Sequence, residues 1–404
     1  MSHAASRPAD TWSPLYFLAS LGAGGLAVTF FMYLLFWIPH PGQPVPVFED
    51  IARALAAGNP LEQTLIGAAM AAIAALGFLN LRTLFWNLSA LSRFKRTEAY
   101  AKLRETNAEA SLLALPLALA MSVNVGFILG LVFVPGLWTI VEYLFPLAMI
   151  AFAAIGALAL AQIGRFLGRI LSQGGSFDLA AHNSFAQLLP GFALAMVAVG
   201  FSAPAAMSTT PLTVGAGLIL STAFGTAALV YTVVAALTAF GAMLQHGTAK
   251  EAAPTLMVVV PIMTVLGIMA LRQSHGLHTA FDSHTTAAET LLFLTKLLTV
   301  QLLFAGLGLV VLRRQGYFAD FIWGAKTSPG SYALVCPGVA LSVMLHFWLN
   351  KGLVEAGLVA KFGTAYWSIS ALAVAFQVAM VALVLTLNRR HFGRTPEPKA
   401  IPAE

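Results

Sequence analysis

Cys336 is the only cysteine among 404 residues. It stands directly before Pro337-Gly338 inside an apolar run. A thiolate there would bind or react with a soft substrate or metal, or the residue would form a gate. The thiolate is the reactive form and needs both a lowered pKa and access. The competing reading is an inert small hydrophobe in a packed interior. A single cysteine makes no intramolecular disulfide.

Lys296 is the one basic residue deep in an apolar run. A charge at that depth costs about 2.5–3.5 kcal/mol, so it needs a partner or a function. Glu289 precedes it by seven residues on nearly the same helical face, about two turns away. Lys296 therefore reads as an anion-attracting charge or part of a proton relay, or as a structural ion pair or hydrogen bond locking its helix to a neighbour. His346 is the only histidine inside an apolar run, at a depth similar to Lys296. It is a candidate lining residue, against the reading of a core histidine with a satisfied hydrogen bond. Haem ligation across a bundle would want paired histidines on facing helices, and the sequence does not supply them. Asn124, within another apolar run, is a candidate pore liner; Glu109 and Glu142 lie near run ends, where snorkelling or capping accounts for them.

The stretch from Arg272 to His284 brings together His275, His278, Asp282 and His284. Imidazole and carboxylate suit zinc, copper or nickel, but the spacing matches no established metal motif. The alternative is a polar, pH-sensitive loop that modulates entry. No cofactor is expected, and no Walker loop, nucleotide fingerprint or Cys/His zinc pattern occurs. The net charge of +6 is no nucleic-acid signature, because the basic residues cluster in short links.

Such residues need elements to hold them, and composition says what those are. The chain is 59% hydrophobic and 9% charged, with mean hydropathy +0.82; soluble domains carry about 25% charged residues. The expectation is an all-α membrane protein, a single ten-helix transmembrane domain over residues 1–404, with the lipid bilayer as its principal partner. A span needs about 20 mostly apolar residues. Ten are predicted: Pro14–Ile38, Glu62–Phe85, Glu109–Val134, Leu137–Leu160, Ser184–Ala206, Pro211–Leu244, Ala253–Leu271, Ala287–Val311, Ser331–Leu349 and Phe362–Leu387. The first is too long for a signal h-region and lacks a basic n-region, so it counts as a span. A short surface helix is predicted around Ile51–Ala57.

Of 22 Lys and Arg residues, 17 fall on the side of the chain termini, four (Arg53, Arg272, Lys351 and Lys361) on the opposite side, and Lys296 within a span. The positive-inside rule then places both termini, residues 1–13 and 388–404, in the cytoplasm of a multi-pass inner (plasma) membrane protein. Pro116, Pro190, Pro261 and Pro337 recur at spacings of 74, 71 and 76 residues, each in an odd-numbered span. A proline inside a helix removes a hydrogen bond and kinks it. The freed carbonyl is tolerated only against protein or a watery cavity. The first span has Gly22, Gly24 and Gly25 instead, which would also bend it. The expected fold is ten transmembrane helices as five helical hairpins around a central pore, odd helices kinked and inner, even helices straighter and outer.

In this layout the chain resembles the superfamily of tellurite-resistance and C4-dicarboxylate carriers (TehA-like) and plant guard-cell slow anion channels. The resemblance spans nearly the whole chain in architecture and is slight residue by residue. It implies a quasi-fivefold pore, a homotrimer, and an aromatic plug before the kink of the ninth helix. Here that slot reads Val335-Cys336-Pro337-Gly338, a thiol instead of a ring. Cysteine before Pro-Gly is similar to the TsoY group, some of whose members carry selenocysteine.

The expected function is a channel or carrier for a small solute, an anion, with Cys336 and Pro337 at the gate and Pro116, Pro190, Pro261, Asn124 and His346 along the pore. It is not expected to be an enzyme. The alternatives are a membrane redox or sulfur/selenium-handling protein using Cys336 with a partner, and a non-transporting membrane subunit.

Overall fold

A chain this apolar has to satisfy its backbone internally, and helices do so within each segment. The computed structural model describes residues 11–173, 178 and 183–392; the predicted cytoplasmic ends up to residue 10 and from residue 393 lie outside them. The described residues contain no strand. Twelve α-helices occur among them: α1 (Phe17–Trp37), α2 (Phe48–Ala57), α3 (Pro60–Phe94), α4 (Glu98–Arg104), α5 (Ala114–Phe133), α6 (Val141–Gln173), α7 (Leu189–Met207), α8 (Pro211–His246), α9 (Val259–Phe281), α10 (Ala287–Arg314), α11 (Val335–Phe347) and α12 (Thr364–Phe392). Among the described residues ten helical segments are long and apolar enough to cross a membrane, at the ten predicted places. The short surface helix is α2.

The predicted kinks take a different form. Each odd-numbered span opens with a tight 3-10 segment: Pro14–Tyr16, Asn107–Leu113, Phe185–Leu188, Lys250–Met257 and Pro329–Leu334. In four of the five a hydroxyl caps the start. Ser13, Thr106, Ser184 and Ser328 accept from the backbone N–H two residues on, which satisfies a donor the first turn leaves free. The α-helix then begins, and the repeated proline sits in its first turn: Pro116 third in α5, Pro190 second in α7, Pro261 third in α9 and Pro337 third in α11. Proline costs little there, since that N–H lacks an intrahelical partner anyway. The repeat therefore marks a change of helix type near the termini end of each span, not a mid-span kink. Outside this set, Pro204 lies near the C-terminal end of α7, where its missing N–H frees the Gly200 carbonyl.

Gly22 and Gly25 are packing sites, not bends. A Cβ built on Gly22 would lie 2.9 Å from Val335 Cγ1, and one on Gly25 2.9 Å from Val339 Cγ1. Two bare glycines thus let α1 and α11 approach closely, as small residues do between membrane helices.

The odd-numbered spans are 50% to 94% buried, the even-numbered 22% to 33%. Buried amides on even spans reach onto odd ones. Asn80 of α3 donates to the Ser20 carbonyl at 2.8 Å. Gln301 of α10 donates to the Val260 carbonyl at 2.9 Å and to Thr264 Oγ1 at 2.6 Å. Gln377 of α12 donates to Thr29 Oγ1 at 2.8 Å and accepts from Tyr33. At the termini end Glu109 pairs with Arg169 at 3.0 Å and Arg104 at 3.4 Å. Glu109 is buried, so it is neither a snorkelling nor a free capping group. Between α10 and α11, Asp320 pairs with Lys250 and Lys326 at 3.0 and 2.9 Å; those hydrogen bonds hold its carboxyl below the usual value. Glu142 at the start of α6 accepts from the Thr209 backbone N–H and from the Ser208, Thr209 and Thr210 hydroxyls, which fixes the short α7–α8 link to α6.

Candidate functional site

One continuous cavity of about 1150 Å3 penetrates the bundle. Its walls come from α1, α5, α7, α9 and α11, with α6 contributing Phe145 and Phe152. At the end opposite the termini its mouth is ringed by His40, His275, His278, His284, Lys351, Glu355 and Lys361. At its deep end lie Leu21, Gly22, Met121, Phe192, Pro261 and Cys336, level with the 3-10 to α transitions.

Cys336, second residue of α11, lines this floor at 9% exposure. Asn124 of α5 lines the wall above it. Its amide donates to the Ala120 carbonyl at 3.0 Å and points to Met196 Sδ at 3.9 Å. Thr264 of α9 also faces the cavity, but its hydroxyl donates to the Ala340 carbonyl at 3.2 Å and accepts from Gln301. That bond sets the register of α9 against α11: Thr264 lies beside Ala340, so Cys336 lies beside Val260 and Pro261.

The sequence reading missed the residue that dominates the site. Arg272 was counted as an outer-side loop cation, because hydropathy falls after Leu271. Helix α9 in fact runs to Phe281, and Arg272 projects from it into the cavity. Its Cα stands twelve residues beyond the Cys336 level, about 18 Å at 1.5 Å per residue. One guanidinium nitrogen donates to the Val199 carbonyl at 3.0 Å, next to the carbonyl that Pro204 frees. Among the described residues no carboxylate pairs with it. An arginine has five N–H donors, so most of its donors remain for a ligand. Among the described residues the one acid lining the cavity, Glu355 at the mouth, is engaged by Lys351 at 2.7 Å. The signal that could have found Arg272 is the 3.6-residue continuation of α9 through Gly276 and Phe281, capped by Asp282 in the left-handed region at φ 54°.

The other predicted residues divide. Pro261 lines the cavity, whereas Pro116, Pro190 and Pro337 are buried in the packing around it and do not. Their effect is to seat neighbours such as Phe192 and Cys336. His346 is fully buried but faces α1. Its ring lies 5.3 Å from Tyr33 and 6.5 Å from Phe36, and neither ring nitrogen has a hydrogen-bond partner. It does not line the cavity, and no protein group among the described residues hydrogen-bonds its ring. Lys296 is exposed on the outer face of α10, and Glu289 is an exposed capping residue bonded to Thr286. The buried charge pair predicted from depth does not exist: hydropathy reports depth along a helix, not which face a residue occupies. A lysine on that face extends its stem along the apolar surface and carries its ammonium toward the interface.

His275 and His278 occupy the last turns of α9, while Asp282 and His284 follow it. His284 contacts Asp282 at 3.2 Å and its ring lies 4.8 Å from that of His278. Among the described residues, no group of three or more His, Cys, Asp or Glu is arranged to hold a metal ion. The mouth is a polar, histidine-rich rim.

No protein-family model matches this chain, and no curated protein matches it. The chemistry of the cavity therefore stands on its own geometry.

Proposed function

We propose that this integral membrane protein passes a small anionic solute through the cavity, as a channel or carrier built from five helical hairpins around a central pore. Cys336 forms the floor at the gate level. The greater burial of the odd spans and their contribution to the cavity wall support an inner ring of odd helices. The lysine and arginine asymmetry supports cytoplasmic termini, with the mouth on the outer face of the plasma or inner membrane.

The observation that carries the reading is Arg272. An unpaired guanidinium recessed in a bundle is expensive to keep. It becomes favourable when an anion supplies the missing partner, and charge-assisted bonds to guanidinium are the strong ones. Lys361 at the rim, beside the mutually neutralised Lys351–Glu355 pair, adds to a positive approach that concentrates anions at the mouth.

The test is anion uptake into proteoliposomes of purified protein. Wild type should take up chloride or nitrate faster than empty liposomes, and Arg272→Gln should lower that rate about tenfold or more, the cost of one charge-assisted hydrogen bond. Equal uptake by wild type and Arg272→Gln, or uptake of cations instead, would refute the proposal.

A further inference from the structure

We infer that the cavity is built to take an amphipathic organic monoanion, a sulfonate or carboxylate head on an apolar body, with the head at Arg272 and the body reaching toward Cys336. This rests on the anion pathway proposed above and names its substrate class.

Three observations combine. First, the space is large. About 1150 Å3 exceeds what a bare inorganic ion needs and lies just above the usual range of about 300–1,000 Å3 for cavities that hold organic ligands. Second, charge is confined to one end. Among the described residues, every Lys, Arg, His or Glu lining the cavity is at the rim except Arg272, which is the deepest of them. The floor about 18 Å below it holds no second cation among the described residues, so the second charge of a dianion would be stranded there.

Third, the lower wall supplies few hydrogen bonds to replace water. Its polar side chains are Asn124, Thr264 and Cys336. Asn124 gives one N–H to the Ala120 carbonyl and directs its amide at the weak acceptor Met196 Sδ, Thr264 gives its hydrogen to the Ala340 carbonyl, and a thiol is a weak donor. The remaining surface is aliphatic, aromatic and thioether, including Phe31, Phe127, Phe192, Met121 and Met196. A strongly hydrated ion gains nothing by entering it, since buried polar groups without partners are penalised. An apolar chain gains on every methylene it buries. Methionines add an adaptable lining that fits bodies of differing shape.

The experiment is calorimetric titration of the full-length protein in nanodiscs with butane-, hexane- and octanesulfonate, with empty nanodiscs as the blank. Full transfer of a methylene from water corresponds to about fourfold in affinity. Octanesulfonate should therefore bind at least about tenfold more tightly than butanesulfonate, with a heat-capacity decrease that grows with chain length. Arg272→Gln should weaken all three by about tenfold or more. Cys336→Phe, which raises the floor, should weaken octanesulfonate more than butanesulfonate, and an equal effect on both would count against the body reaching the floor.

If affinity does not depend on chain length while chloride uptake persists, the inference fails and the anion pathway stands. A chain-length dependence that Arg272→Gln leaves untouched would also overturn it, since the tails would then be partitioning without a head-group site. Loss of both sulfonate binding and chloride uptake in the wild type would remove the pathway reading itself.

Discussion

At the residue scale, two side chains exchange the roles their sequence positions imply. Lys296, deep in an apolar run, is exposed on the outer face of α10. Arg272, at the fading end of another run, points into the cavity. Depth and helical face are separate coordinates, and only depth is visible in hydropathy. Cys336 and Asn124 were legible because both fall on odd spans that the proline repeat marks. His346 illustrates the energetic side. An imidazole always carries a donor or an acceptor at each nitrogen, and here both are buried without partners between α1 and α11. Replacing an unsatisfied polar group with an apolar one of similar shape is neutral to stabilising. His346→Leu is expected to raise stability by about 1 kcal/mol, read as a higher midpoint in thermal unfolding of the detergent-solubilised protein. A fall of that size would mean that a water or ligand satisfies the ring.

At the element scale, the ten spans were legible because lipid leaves the backbone only helix or closed barrel, and apolar runs of about 20 residues fit helix rather than a barrel strand. The repeat of Pro116, Pro190, Pro261 and Pro337 was legible as well. Its meaning was not, since a proline in a first α-turn and a proline at a kink look alike in sequence. The caps at Ser13, Thr106, Ser184 and Ser328 are short polar residues at uneven spacing, and they identify the 3-10 openings only once the helix starts are known. The glycines of α1 were misread for a related reason: a glycine that bends a helix and one that admits a neighbour have the same letter. Gly25→Leu would drive a side chain into Val339, 2.9 Å from the built Cβ, with helix backbones on both sides. Overpacking of this kind costs about 1–3 kcal/mol. The expected result is a lower unfolding midpoint together with reduced anion uptake, because the α1–α11 seam forms part of the cavity wall. Unchanged stability would show that the two helices are free to separate.

At the scale of the whole molecule, the parts make one arrangement. Even spans present apolar faces outward and reach inward with single amides: Asn80, Gln301 and Gln377. Odd spans carry the cavity wall. Ionic ties such as Glu109 to Arg169 lie at the termini end, and the charge that faces the cavity lies toward the other. The central claim is that an aqueous route favouring anions leads past Arg272 to Cys336. Since Cys336 is the sole cysteine, it reports on that route without any engineered site. The most direct measurement is its rate of modification by anionic and cationic methanethiosulfonate reagents of similar size, applied from the mouth side, each rate divided by that for a free thiol in solution. The anionic reagent should react faster, and Arg272→Gln should abolish the difference. Failure of both reagents to reach Cys336, or a normalised preference for the cationic one, would contradict the account.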